Sequence, residues 1–156
     1  MGSAELIYNA LNGINGFNRT AAYSANTDIT WFINALEEAG RDLGVARTSD
    51  DVVSVGDALM VSGIEPLLTP DRRGLADVAA GQLEANGVEV ERVTQPHEHV
   101  LAIAGTTGNG WLETRILASR GWVFLVNGPT QQGTRTLVDL LDEQIEKVEG
   151  PPLSRN

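Results

Sequence analysis

The chain has 156 residues, a formal net charge of −10 and no cysteine. That length supports one domain with a proper core, and the lack of cysteine excludes disulfides and thiolate metal sites. An acidic balance of this size repels nucleic acid and anionic membranes, and no apolar run approaches the roughly 20 residues that span a bilayer.

Ser3 followed by "AELIYNAL" predicts a short capped helix with Leu6, Ile7, Ala10 and Leu11 on one face. No basic stretch precedes these apolar residues, so no secretory signal is expected; the expected location is cytoplasmic or particle-associated. Asn12-Gly13 and Asn15-Gly16 predict turns, because both residue types tolerate positive φ, and a loop follows through "RTAAYSANT". "DITWFINALEEAGRDLG" predicts a helix: Ile29, Phe32, Ile33, Leu36 and Leu43 form one stripe, and Gly44 suits the position just past its end. "TSDDVVSVGDALMVSG" opens on Thr48 and Asp51 in capping-box spacing and reads as a further helix, with Val52, Val55 and Leu59 inward. "TPDRRGLADVAAGQLEANG" predicts the next one, with Thr69 as cap, Pro70 in its first turn and Asn86-Gly87 as the stop. Its apolar face is Leu75, Val78, Ala79 and Leu83.

After Gly87 the hydrophobic period changes from helical to alternating. "VEVERVT", "HVLAIAG", "WLETRILAS" and "GWVFLVNG" predict four strands, with Leu112, Thr114, Ile116 and Ala118 on one face of the third. Short connections imply antiparallel pairing. A last helix over 131–148 places Leu137, Val138, Leu141, Ile145 and Val148 on one side and Asp139, Asp142, Glu143 and Glu146 on the other. Strands segregated from helices predict an α+β fold. The expectation is a single α+β domain over 1–156. Residues 1–69 form its helical N-terminal part, and 70–150 form a helix, a four-stranded antiparallel meander from Val88 to Asn127, and a helix. The helices at 70–86 and 131–148 would pack on one face of the meander.

Gly128 and Gly133 have the spacing of a phosphate-binding P-loop after an apolar strand. Thr134, however, stands where the loop needs a lysine, and Arg135 where it needs the Mg²⁺-binding hydroxyl. No later strand can supply the second acidic residue that holds Mg²⁺. The segment therefore reads as strand, turn and capped helix, with Thr130 or Thr134 as the cap, and no cofactor is implied. Gly105, Gly108 and Gly110 run in the reverse order of a dinucleotide fingerprint and precede a strand. They predict a hairpin loop whose exposed tip, Gly108 and Asn109, forms with Trp111 a candidate partner contact.

His97 and His99 are the two histidines, and two-residue spacing at a strand start would project both from one face. His-x-His is a metal-ligand spacing, which here only a carboxylate such as Glu113 or Glu89 could complete. The plainer reading is two surface or edge histidines. With no complete catalytic set, no cofactor loop and no basic groove, the leading expectation is a non-enzymatic protein-interaction or assembly protein. Its partner would be another protein or further copies of itself, not nucleic acid and not a membrane. An oligomeric structural or adaptor component of a larger particle, such as a phage connector, fits this size and composition. The alternative is a small enzyme, or a ligand- or metal-binding domain, using His97 and His99 with Glu113.

Overall fold

The computed structural model describes residues 28–49, 52–64 and 72–153. Three helices and seven strands occur there in the order α1 (Asp28–Ala39), β1 (Ala46–Ser49), β2 (Val52–Val55), β3 (Ala58–Ile64), α2 (Arg72–Ala85), β4 (Glu89–His97), β5 (Val100–Thr107), β6 (Gly110–Leu117), β7 (Trp122–Gly128) and α3 (Gln131–Glu149). A 3₁₀ turn, Arg41–Leu43, ends on Gly44 at φ 85°, the left-handed conformation that glycine adopts without strain. The helix expected over 4–11, the loop to Thr27, and the Thr69 cap with Pro70 lie outside the described residues.

The strands form one sheet in the order β1-β2-β3-β7-β6-β5-β4, and every neighbouring pair is antiparallel. The meander expected after Gly87 is present as β4 to β7, but it is not the whole sheet. The segment 48–63, expected to be a helix, instead falls within three more strands over 46–64, so the chain is not a four-stranded meander behind a helical N-terminal half. The cause lies in "VVSVGDALM". Val55 pairs with Ala58 around Gly56-Asp57, with Gly56 at φ 56° as the primed two-residue hairpin turns require. Val52 enters one apolar cluster and Val53 the other. A strand buried on both faces shows no alternation, and its valines at positions 52 and 55 then imitate the i, i+3 spacing of a helix.

The helix placement also differs from expectation. Ala79 and Leu83 of α2 pack with Ile103, Leu112, Ile116 and Val123 on one face of the sheet. The other face packs Leu137, Val138 and Leu141 of α3, and Phe32 and Leu36 of α1, against Met60 and Phe124. The sheet is thus covered from both sides, which removes more apolar surface from water than two helices on a single face could. An aromatic group centres the α3 side: Phe32 lies 5.0 Å from Phe124 and 5.4 Å from Trp122, between ring centroids. Trp31, half exposed, sits edge-on to Trp122 at 5.8 Å.

Coverage by α3 is partial. Among the described residues the helix packs mainly on β2, β3, β7 and β6, and no described helix packs broadly on the α3 side of β5 and β4. β4 is an edge strand, exposed along most of its length, with register shifts between Val90 and Arg92 and between Thr94 and His97. After α3 the chain crosses to this edge, where the Leu153 N–H donates to the Pro96 carbonyl at 2.7 Å. Among the described residues no helix is long and apolar enough to cross a membrane.

Candidate functional site

Strand register assembles the site. Residues opposite one another in an antiparallel pair share a face, so three rows run across the α3 side. They are Arg92–Ala104–Glu113–Val126, Thr94–Ala102–Arg115–Phe124 and His97–Val100–Leu117–Trp122. Each row ends in the core under α3 and starts at the open edge. The floor of the open part is Ala102 and Ala104, whose small side chains leave room above them.

On β6 the rows carry a buried ion-pair network. The Glu113 carboxylate, 1% exposed, accepts from Trp111 Nε1 at 2.8 Å and Arg135 Nη1 at 2.7 Å on one oxygen, and from Arg115 Nη2 at 3.0 Å on the other. Arg115, 6% exposed, holds Asp142 through two donors at 2.8 and 3.1 Å and gives a third to the Thr114 carbonyl at 3.2 Å. Arg135 reaches Asp139 one turn further along α3 at 2.9 Å. Charges this buried are tolerable only when paired and hydrogen-bonded. Burial raises the Glu113 carboxyl, but the Trp111 and Arg135 hydrogen bonds and the charges of Arg115 and Arg135 outweigh it and hold the group below the ordinary carboxylate range. Burial likewise works against ionised Arg115 and Arg135, and their carboxylate partners more than reverse it.

Beside the network lies a cleft of about 290 Å³ between α3 and β4. Val100, Ala102, Ile145 and Pro152 supply apolar walls, and Arg115, Asp142, Glu146 and His97 supply the polar lining. His97 is 5% exposed, and its Nδ1 is buried with no hydrogen-bond partner among the described residues. An unpaired buried nitrogen costs about 1–3 kcal/mol. A smaller hollow of about 110 Å³ adjoins the cleft and is lined by Arg92, Ala104, Glu113 and Arg135.

The sequence-derived candidates distribute as follows. His97 closes β4, and His99 sits in the turn before β5, so the pair does not occupy alternate positions of one strand. Glu89 is at the far end of β4, and Glu113 is two strands away with both oxygens engaged. Among the described residues no group of three His, Cys, Asp or Glu side chains could hold a metal ion. Gly108 and Asn109 form the exposed tip of the β5–β6 hairpin. Trp111 is 7% exposed, and its indole N–H serves Glu113. Gly110 is at φ 140°, and a Cβ there would strike the Gly128 carbonyl and the Pro129 backbone, so this glycine serves close approach of two chains. Thr130 caps α3 by accepting from the Gly133 N–H at 2.9 Å. Arg135, one residue beyond the P-loop lysine position, is spent on Glu113 and Asp139.

Arg115, Arg135 and Asp142 were not among the candidates read from the sequence. Their signal was faint but present: Glu113 and Arg115 sit two apart in an otherwise apolar strand, and Arg135, Asp139 and Asp142 recur at helical spacing on a face taken as solvated. Comparison of the chain with protein-family models, with curated proteins and with solved structures gives no match.

Proposed function

We propose that this chain is a non-enzymatic interaction or assembly protein, which works by binding a protein partner or further copies of itself. One observation carries the reading. Among the described residues no helix packs broadly on the α3 side of the nine-residue edge strand β4 and its neighbour β5, which lie next to a formed cleft, while the strongest charges nearby are already satisfied by one another. A carboxylate held ionised by three donors is a poor proton shuttle near neutral pH, where general acid–base work needs a group poised to change state. Exposed Trp31 and the Gly108–Asn109 tip add contact features elsewhere on the surface. A place in a larger particle, such as a phage connector, is the finer form of this proposal and rests on size and acidic composition.

Multi-angle light scattering of the purified chain checks it. A mass above the 16.7 kDa of one chain, or a stable complex with a defined partner, is the expected result. A strict monomer that associates with nothing would sink the proposal. The competing metal-site reading predicts stoichiometric bound metal that vanishes in the His97→Ala/His99→Ala double variant.

A further inference from the structure

We propose that the cleft between α3 and β4 is a socket for a lysine side chain of a protein partner. This rests on the binding reading above and names the chemistry of what is bound. Shape is the first reason. The cleft volume of about 290 Å³ and its walls of Val100, Ala102, Ile145 and Pro152 suit a flexible four-carbon stem, which gains by leaving water while its head stays polar.

The second reason is an excess of acceptors over donors. Glu146 lines the cleft, and its carboxylate makes no hydrogen bond or ion pair among the described residues. Each Asp142 oxygen takes a single N–H from Arg115 and keeps a lone pair, and this side chain is 40% exposed. His97 Nδ1 is buried with no hydrogen-bond partner among the described residues, and it accepts in the tautomer that carries its proton on Nε2. An ammonium group brings three donors and no acceptor, which complements this set. A guanidinium, with five donors in a fixed plane, fits it less well. Arg115 does not oppose the cation, because Glu113 and Asp142 both neutralise it.

Long-range charge is the third reason. A chain at −10 steers basic partners toward itself. The chain's own lysine, Lys147, is exposed on α3 and does not line the cleft, and two copies at −10 repel one another, which favours a basic partner of a different kind over a second copy.

The test is fluorescence anisotropy with a labelled octapeptide of alternating lysine and serine, compared with the same peptide carrying norleucine for lysine. The lysine peptide should bind, and the norleucine peptide should bind about tenfold more weakly or not at all. Glu146→Gln should cost about tenfold in affinity, whereas Glu38→Gln, an exposed change on α1, should cost less than about twofold. Ala102→Leu, which fills the floor, should abolish binding; its folding is checked by urea unfolding, and Glu146→Gln carries the test if it misfolds.

No binding by wild type overturns the proposal. Equal loss from Glu146→Gln and Glu38→Gln reduces it to diffuse charge attraction, and equal binding of the two peptides reduces it to an apolar slot; either result overturns it. An oligomer dissolved by Lys147→Gln would show that a second copy fills the cleft, which overturns assignment to a different protein. If wild type associates in light scattering and Glu146→Gln associates equally well, the socket fails while the binding reading stands. If wild type associates with nothing, the binding reading itself fails.

Discussion

The two halves of the sheet's α3 side are finished in opposite ways. Under α1 and α3 the rows end on Trp122, Phe124 and Val126, packed against Phe32, Leu137 and Leu141. Two strands away the same rows carry Ala102 and Ala104, then Arg92 and Thr94 at the edge. A sheet half on which no described helix packs broadly is poorly placed to carry large apolar side chains without leaving them wet. Alanine there limits the exposed apolar area and opens a cleft. The border between the halves is held by the ion pairs of Glu113, Arg115, Arg135 and Asp142. Buried pairs of this kind add little net stability over apolar residues of the same volume. Their two-pronged geometry does fix where the flank of α3 sits relative to β6, and so fixes the width of the cleft.

Four changes probe that contrast. The largest effect belongs to the covered half: Phe124→Ala should cost about 3–5 kcal/mol in urea unfolding, since Phe124 is fully buried among other rings. A loss well short of that would mean that the covered half is not the main core. Next comes the border. Glu113→Ala removes the carboxylate that Arg115 and Arg135 share, leaving Arg115 with Asp142 and Arg135 with Asp139, and should cost about 3 kcal/mol, whereas the double change Glu113→Leu/Arg115→Met should recover much of the loss. A double variant no better than the single one would show that the network is needed for stability and not for position.

Acid titration sharpens the same point with a smaller effect. The Glu113 carboxyl is lowered in the folded chain, so its contribution is full above the ordinary value of about 4.3 and is lost as pH falls through the folded value. Melting temperature should fall with acid in that window, and the double variant should show a shallower fall; parallel curves for the two proteins would remove Glu113 from the account. Least affected should be the open edge: Arg92→Ala changes an exposed residue with no ion pair among the described residues and should shift unfolding by less than about 0.5 kcal/mol.

Sequence legibility follows the same division. Strands β4 to β7 and the helices α1, α2 and α3 could be read because their patterns are long, or bounded by Asn-Gly, Gly-bracketed turns and a threonine cap. Residues 46–64 could not, because Val52 and Val53 point into different clusters and erase the alternation that marks a half-buried strand. The alternation in β6 puts Leu112, Thr114, Ile116 and Ala118 on one face; the first three are buried, and Ala118 lies just past the strand end, partly exposed. The strand's other face, with Trp111, Glu113 and Arg115, is buried as well, and only tertiary pairing with α3 makes that tolerable. Trp111 next to a glycine loop suggests a partner anchor, whereas its indole is 7% exposed and donates to Glu113. His97 was noticed for its spacing to His99; what distinguishes it is an unpaired nitrogen that no spacing rule reports.

The two register shifts in β4, the second of them containing Pro96 with the 153 amide laid on its carbonyl, have a bearing on how this protein can multiply its contacts. A straight strand margin is an invitation to endless stacking, one molecule templating the next into a fibre. Here only a short run of regular backbone separates the two kinks, so ladder growth stalls after a few bonds. If the proposed association takes place, this edge directs it to side-chain surfaces, which can close on a fixed number of members.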